Sequence, residues 1–296
     1  MMAYYFNDLS PFIFQFGNEF GLRWYGMAYL AAFLIGWWLY RLLAKRGYSD
    51  LQPQQVGDFI FAAAVFGVLI GGRIGYVLFY EPGMLAQDPL ALLKVWEGGM
   101  SSHGGILGLI IFTLVYSKWK KISWVNLGDN LVVVSPVGLF FGRCANFING
   151  ELYGRVSQVP WAVYFPRELP SVTEAKMEIL RSNPETRAEV IDYLQPRHPS
   201  QLYEAFAEGL LLFAILWLLR TRCRLPDGAL TGWFFILYAL GRISVEFFRE
   251  PDASLILGMS RGQFYSLFMI LIGLVFLWYA HRTGHVRQPQ PARESS

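Results

Sequence analysis

Seven apolar segments, each long enough to cross a membrane as a helix, constrain this chain more than any other feature. A spanning helix needs about 20 mostly apolar residues. The segments that meet this requirement lie at roughly 22–42, 57–80, 101–117, 124–142, 201–219, 229–248 and 263–281. Composition agrees, since 54% of the residues are hydrophobic and 16% are charged, whereas soluble domains carry about 25% charged residues. The sequence therefore predicts an all-α fold, a polytopic integral membrane helical bundle with seven transmembrane helices.

The connection at 143–200 differs from the short hairpins that join the other segments. It contains several prolines and mixed charges and is too polar to span a bilayer. We expect it to form one extracytoplasmic head within a single transmembrane catalytic domain at 1–283. The polar tail at 284–296 is expected to be disordered and cytoplasmic. The N-terminus has no basic leader and no small-residue cleavage site, so a removable signal peptide is not predicted.

The lysines and arginines of the connections predict the orientation of the chain in the membrane. Short cytoplasmic loops carry an excess of these two residues. Alternate connections hold such clusters, whose members are Arg41, Lys45, Arg46, Lys118, Lys120, Lys121, Arg220, Arg222, Arg224, Arg282 and Arg287. With seven spans, this pattern predicts a cytoplasmic C-terminus, with the N-terminus and the head on the opposite side.

A polar cluster at the end of the fourth apolar segment is the first candidate for a functional site. Arg143, Asn146 and Asn149 share one helical face if the helix continues past the segment. The planar guanidinium of Arg143 suits phosphate oxygens, and Glu151 is expected to hold it from behind. The alternative is an interfacial arginine that snorkels to the membrane surface. The density of polar groups favours a site, because ionisable residues inside membranes are usually functional.

The sixth apolar segment carries a second polar stripe. Tyr238, Arg242 and Glu246 follow one another at intervals of four residues and therefore share a helical face. One interpretation makes Arg242 a second contact for an anion, with Glu246 holding it in place. The other is a purely structural ion pair, and a buried ion pair is weak evidence even for stability.

Two further polar residues lie among glycines. Arg73 is flanked by glycines that permit close helix packing, and it is either a third ligand contact or a partner that neutralises Glu151 or Glu246. His103 precedes Gly104 and Gly105 at the start of the third segment. A histidine can accept a proton near neutral pH, although a lone histidine at a helix start is more often a structural hydrogen-bonding group.

The remaining signals exclude several kinds of chemistry. Cys144 and Cys223 are too few for a disulfide framework, and Cys144 is expected to be a small buried residue rather than a nucleophile. Histidines and cysteines do not show zinc spacing, and the glycine runs match neither phosphate-loop nor dinucleotide patterns. A formal net charge of +3 gives no case for nucleic acid. The sequence thus predicts neither a metal nor a cofactor.

Several of these motifs, in their order along the chain, resemble the prolipoprotein diacylglyceryl transferase family over nearly the full length. The matching stretches are Trp24–Gly26, Gly71–Tyr76, Gly99–Ser101, His103–Gly105, Gly142–Arg143, Asn146–Glu151, His198–Glu204, Arg242 and Glu246–Arg249. One departure is Ala145, where the family usually has glycine. It leaves Arg143 and Asn146 in place.

The resemblance implies an enzyme of the bacterial inner membrane, with the head and the N-terminus in the periplasm. Such enzymes move the diacylglyceryl group of phosphatidylglycerol onto the lipobox cysteine thiol of a preprolipoprotein signal peptide and release glycerol 1-phosphate. This is the first step of bacterial lipoprotein maturation. The implied partners are therefore phosphatidylglycerol, the signal peptide and the lipid bilayer, with no cofactor.

The resemblance also assigns roles to residues. The implied catalytic residues are Tyr25, His103, Arg143 and Arg242. The implied phosphatidylglycerol contacts are Arg143, Asn146, Glu151, Tyr238, Arg242 and Glu246, to which the burial argument adds Arg73. In such a reaction a thiol must lose its proton before it attacks, and His103 either accepts that proton or orients the thiol. The arginines suit the charge that grows on the leaving phosphate.

Two other classes of function would also use buried arginines. A phospholipid transporter or flippase would normally show internal repeats and polar groups near the bilayer midplane, whereas here there is no repeat and the polar groups gather on one side. A non-catalytic lipid-binding membrane protein would have no need of His103.

Overall fold

A computed structural model describes residues 4–16, 20–84, 98–251 and 254–286, together with positions 88, 90, 92 and 94. The helices are α1 (Trp24–Lys45), α2 (Gln55–Phe79), α3 (Ser102–Lys120), α4 (Trp124–Asn149), α5 (Glu174–Ser182), α6 (Pro184–Ile191), α7 (Ser200–Arg222), α8 (Ala229–Glu246) and α9 (Arg261–Thr283). The strands are β1 (Tyr5–Phe6), β2 (Phe12–Phe16), β3 (Phe20–Arg23) and β4 (Val163–Tyr164).

A helix forms at each of the seven predicted apolar segments. Within the described residues, five of them are long and apolar enough to cross a membrane, namely α1, α2, α4, α7 and α9. Helices α3 and α8 also form but do not belong to that set. Large apolar side chains such as Phe61, Trp119 and Trp278 lie at least 60% exposed, as expected for helices whose outer faces meet lipid. The described part of the chain is mostly helical, and its four short strands were not part of the prediction of an all-α protein.

The chain divides into two compact units, which are described separately. The first unit comprises Met1–Gly36, Val132–Leu225 and Ala229–Thr283. The second comprises Trp37–Leu131, Pro226–Gly228 and Gly284–Ser296.

The segment predicted as a head folds around its own small core in the first unit. Strands β1 and β4 pair in parallel, with Phe6 opposite Tyr164. Below them, α5 and α6 contribute buried side chains to the core, whose members are Phe6, Met177, Leu180, Val190 and Leu194. Tyr5 and Phe6, near the N-terminus, therefore fold together with this segment.

Side-chain caps fix the starts of the two head helices. The Thr173 hydroxyl accepts a hydrogen bond from the Lys176 amide at the start of α5 (3.3 Å). At the start of α6, whose first residue is Pro184, Oδ1 of Asn183 accepts hydrogen bonds from the Glu185 and Thr186 amides. Capping residues and an N-terminal proline satisfy or remove amide donors that a helix cannot use internally. These signals explain why a polar stretch with many prolines forms two short helices.

Glycines bring α2 and α3 together in the second unit. A methyl group on Gly71 would lie 2.7 Å from the Gly104 carbonyl oxygen and 2.7 Å from the Gly108 Cα atom. Gly67 and Gly75 approach the same face of α3. This spacing of four residues is the small-residue pattern that lets two membrane helices touch through their backbones. The predicted role of these glycines in close packing is confirmed.

A buried polar network joins the loops at one end of the second unit. Asn126 donates to the Tyr48 carbonyl oxygen (3.1 Å), and the Gly228 amide donates to Asp129 (2.7 Å). The Asp227 amide donates to the His285 carbonyl oxygen (3.0 Å). The first residues of the predicted disordered tail are therefore held by hydrogen bonds, and 287–296 lie outside the described residues.

Candidate functional site

Three arginines and three glutamates meet inside the first unit, and we refer to these six residues as the Arg–Glu cluster. Arg143 comes from α4, Glu204 and Glu208 from α7, Arg242 and Glu246 from α8, and Arg249 from the segment after α8. The side chains of the three glutamates are at most 6% exposed. Buried charges need partners of opposite sign, and the formal charges of the cluster cancel.

Glu204 is the centre of the cluster and is fully buried. One of its oxygens, Oε1, accepts hydrogen bonds from Arg242 and from Arg249, the latter at 2.7 Å. Its other oxygen lies 3.2 Å from Nε of Arg143. A single carboxylate thus orients guanidinium groups from three parts of the chain.

Glu208 lies one turn further along α7 and faces the same arginines at longer range. Its Oε1 is 3.6 Å from Arg242 and its Oε2 is 3.7 Å from Arg143. Within the part of the chain that the structure describes, both oxygens are buried without a hydrogen bond of normal length. Glu208 lies in a π-helical stretch of α7, Ala205–Leu211, and such stretches are frequent at functional sites.

Gly209 allows α7 to approach α4 next to the cluster. A methyl group on Gly209 would lie 2.7 Å from Cβ of Phe140 and 2.8 Å from its Cα atom. Because Phe140 precedes Arg143 by one helical turn, this contact sets the distance between Arg143 and the glutamates of α7.

Arg242 and Glu246 form the ion pair that their spacing predicted. Nη2 of Arg242 lies 2.9 Å from Oε2 of Glu246. Gly262, at the start of α9, packs against this pair, since a methyl group there would lie 2.6 Å from the Glu246 carboxylate. The prediction of Glu246 as the partner of Arg242 is confirmed, and Gly262 is an addition from the structure.

The prediction that Glu151 is the partner of Arg143 was wrong. Glu151 was expected to hold the guanidinium, but its Oε1 accepts hydrogen bonds from Asn146 (2.8 Å) and Asn149 (3.2 Å). Helix α4 continues past the predicted end at 142 and carries these two asparagines to its last turn. Arg143 is instead paired with Glu204 and Glu208. Glu151 therefore organises the end of α4, and its carboxylate occupies amide donors that an anionic ligand would otherwise use.

Two tyrosines lie within electrostatic range of the cluster. Tyr238 stacks on Phe234 with ring centroids 6.0 Å apart and is close enough to Glu208 and Arg242 to interact with their charges. Tyr25 packs edge-on against Tyr29 and interacts with the charges of Arg143 and Glu151. The first unit thus brings together the predicted residues Tyr25, Arg143, Asn146, Glu151, Tyr238, Arg242 and Glu246.

The remaining two predicted residues belong to the second unit. His103 is exposed on the first turn of α3, and its ring forms no hydrogen bond or ion pair within the described part of the chain. Ser101 caps that turn by accepting from the Gly104 amide (3.1 Å). Arg73 is 1% exposed and donates to the carbonyl oxygens of Gly98 and Gly99. Its role as a ligand contact stays a prediction.

Sequence reasoning missed part of the cluster although a signal was present. From the sequence, Glu204 was named only as the end of a matching stretch, and Glu208 was not named. Both carboxylates lie on one face of an apolar segment at a spacing of four residues, which marks them as intramembrane charges. Arg249 had appeared only within a matching motif, without a role. Cys144 is a half-buried free thiol, and Cys223 is exposed and also free.

Comparisons with known proteins identify relatives over nearly the whole chain. The family model for prolipoprotein diacylglyceryl transferase matches residues 11–279. A relative from Rhodospirillum rubrum is 40% identical over 296 residues, which cover 98% of both chains. A relative from Psychrobacter arcticus is 45% identical over 89% of this chain and 90% of its own, and one from Proteus mirabilis is 42% identical over 97% of both. All three are named phosphatidylglycerol–prolipoprotein diacylglyceryl transferase.

Proposed function

The chain belongs to the prolipoprotein diacylglyceryl transferase family, and we propose from this membership how its residues carry out the reaction. The chain transfers the diacylglyceryl group of phosphatidylglycerol to a prolipoprotein, the reaction for which its relatives are named. The acceptor is the thiol of the lipobox cysteine in the signal peptide. A carbon–sulfur bond forms, the carbon–oxygen bond to the phosphate breaks, and glycerol 1-phosphate leaves.

Arg143 and Arg242 receive the phosphate of the lipid. The observation that carries this assignment is that guanidinium groups from two different helices converge on the same two buried glutamates. Charge grows on the phosphate as the carbon–oxygen bond breaks, and fixed cationic donors in a site that excludes water stabilise such charge strongly. Asn146, Glu151, Tyr238 and Glu246 surround this pair and orient the headgroup, and Arg73 is a further lipid contact.

His103 takes the proton of the attacking thiol. The thiolate is the nucleophile, and an imidazole can accept a proton near neutral pH. Its ring nitrogens are free of hydrogen bonds within the described residues, which leaves them available to a substrate. Tyr25 is the fourth catalytic residue, supported by its electrostatic interaction with Arg143.

The protein crosses the bacterial inner membrane seven times as a single catalytic domain. Five helices meet the length and composition of a span, and α3 and α8 complete the set of seven. The loop charges support a periplasmic N-terminus and a cytoplasmic C-terminus. In that orientation the head at 143–200 is periplasmic, on the side from which a secreted prolipoprotein would approach.

A lipidation assay tests this function. Purified protein with phosphatidylglycerol should release glycerol phosphate only when a lipobox peptide with cysteine is supplied, and a peptide with serine in its place should give none. Arg143→Ala should lower turnover by about 100- to 1,000-fold, while Arg46→Ala, at an exposed loop position, should leave it unchanged. Full turnover in Arg143→Ala would contradict the assignment.

The histidine variant separates the enzyme from the two alternative functions. His103→Gln should abolish lipidation and leave lipid affinity intact, because the imidazole acts on the thiol and not on the phosphate. A transporter would move phosphatidylglycerol across sealed vesicles without peptide. Lipid movement together with absent lipidation would overturn the proposed reaction.

A further inference from the structure

The carboxylate of Glu208 is buried between two arginines without a close contact to either, and neither its helix nor its ion pairs explain this position. Its carboxylate is fully buried, and it places one oxygen toward Arg143 and the other toward Arg242. At 3.6–3.7 Å, neither contact is a hydrogen bond. Buried polar groups are nearly always hydrogen-bonded, so an unsatisfied carboxylate in a native structure requires a reason.

The other charges around Glu208 show what a bound lipid would change. Glu204 faces it from its own helix, Arg143 from α4, and Arg242 and Tyr238 from α8. Arg249 and Glu246 are connected to these groups through Glu204 and Arg242. With all six members of the Arg–Glu cluster ionised, the arginines are already neutralised. A phosphate added between Arg143 and Arg242 would leave an excess negative charge in a buried place, which is costly.

We propose that Glu208 takes up one proton from solvent when the phosphate of phosphatidylglycerol binds between Arg143 and Arg242, and releases it when the phosphate leaves. Before the lipid binds, the Glu208 carboxylate thus supplies negative charge to both guanidinium groups, and the lipid phosphate replaces that charge. This inference rests on the proposed function, since it assigns the phosphate to these two arginines. No bond in the lipid forms or breaks in this step.

Glu208 is better placed for this exchange than either of the other glutamates. Glu204 accepts hydrogen bonds from Arg242 and Arg249, and Glu246 lies 2.9 Å from Arg242. Protonation of either carboxylate would disrupt these close contacts. Among the described residues, the nearest cationic atoms to Glu208 lie farther away, at 3.6–3.7 Å, so protonation there disrupts less. Glu208 also faces both of the arginines to which the phosphate is assigned.

The pH dependence of lipid affinity tests the proposal. The dissociation constant for phosphatidylglycerol is measured without peptide from about pH 6 to about pH 9, a range above the ordinary pKa of a carboxylic acid. The wild-type constant should rise with pH by up to about tenfold per pH unit, as uptake of one proton requires. In Glu208→Gln, whose amide imitates the protonated acid, the constant should be flat and close to the low-pH value of the wild type.

Two matched variants and one lipid control sharpen the result. Glu208→Asp keeps the acid and should keep the slope, whereas Glu246→Gln removes one negative charge from the cluster and should lessen the slope. Diacylglycerol has no phosphate, so its binding should not depend on pH. A Glu208→Gln protein with the wild-type slope, or a wild type with no slope, would overturn the proposal.

Proton uptake can also be measured without any variant. Phosphatidylglycerol added to wild-type protein in weak buffer with an indicator dye should remove about one proton per lipid bound, and no uptake would overturn the inference even if Glu208→Gln does not fold. Failure of the proposed function is a separate outcome, because it appears as missing glycerol phosphate release in the peptide assay.

Discussion

Two helix interfaces of this protein are built on opposite principles. In the second unit, α2 and α3 touch through the backbones of Gly71, Gly104 and Gly108, and small size alone provides the fit. In the first unit, α4, α7 and α8 meet through the Arg–Glu cluster, where long charged side chains fill the space. The glycine interface fixes a distance between helices, whereas the charged interface holds ionised side chains in a buried place.

The two interfaces should therefore fail in different ways. At the glycine interface any added atom collides with backbone, which cannot rotate away. At the charged interface the loss of one partner leaves buried charge without compensation. The comparison can be tested by changing one member of each interface and a matched neighbour that lacks its contacts.

The largest effect is expected from the central carboxylate of the cluster. Glu204→Gln should lower the free energy of unfolding by about 3–5 kcal/mol, because the guanidinium groups of Arg143, Arg242 and Arg249 lose their shared partner. Denaturant unfolding in detergent measures this. Glu208→Gln is the matched control and should cost clearly less, since it removes no hydrogen bond. Equal losses in the two variants would show that hydrogen bonding does not organise the cluster.

The next effect belongs to the glycine interface. Gly71→Ala places a methyl group 2.7 Å from the Gly104 carbonyl oxygen, and such overpacking typically costs about 1–3 kcal/mol. Thermal unfolding of the purified protein measures the change.

Gly105→Ala is the control within the same interface, because its methyl group would lie 3.4 Å from the nearest atom, the Val68 carbonyl oxygen. It should unfold close to the wild-type temperature. If both alanine variants were equally stable, α2 and α3 would be free to move apart, and backbone contact would not set their spacing.

The sequence predicted the positions of the helices well and the contacts between charges less well. All seven apolar segments are helical, and the spacing of Arg242 and Glu246 predicted their ion pair. Helical period alone is enough for such contacts within one element. The predicted partner of Arg143 was incorrect because its actual partners, Glu204 and Glu208, lie about sixty residues away in the sequence. Local sequence patterns do not reveal how their helix packs against α4.

The sequence also predicted only some of the places where helices approach each other closely. The glycines at Gly71 and Gly104 predicted packing in general terms, but Gly209 and Gly262 carried no signal in the sequence. Their importance depends on Phe140 and Glu246, which the fold brings near them. A glycine becomes structurally necessary only when a distant atom occupies the place of its missing side chain.

A smaller effect is expected where a glycine adjoins the charged interface. Gly262→Ala would place a methyl group 2.6 Å from the Glu246 carboxylate and 2.9 Å from Nε of Arg242. These side-chain atoms can move, so stability should fall by only about 1 kcal/mol, whereas turnover should fall by about tenfold as Arg242 is displaced.

The peptide lipidation assay measures the loss of turnover, and an unfolding measurement gives the loss of stability. Gly241→Ala provides the control, since its methyl group would lie 3.8 Å from Ala207 and should leave both quantities unchanged. A Gly262→Ala protein that lost stability but kept full turnover would separate Arg242 from the reaction.

The smallest expected effect concerns pH and involves His198, in the connection that precedes α7. His198 is half-buried beside Tyr203, whose hydroxyl is 3.1 Å from its Nδ1, and it packs against Phe248. Burial lowers the pKa of His198 below its ordinary value. The unfolded chain therefore binds the proton more readily, so stability should fall as the pH drops below about 6.5.

Unfolding in detergent at a series of pH values measures this slope, which His198→Gln should remove. Any loss of stability that remains in His198→Gln at lower pH would belong to carboxylates of the protein, and an unchanged slope between about pH 5 and about pH 6.5 would rule out His198 as the titrating group.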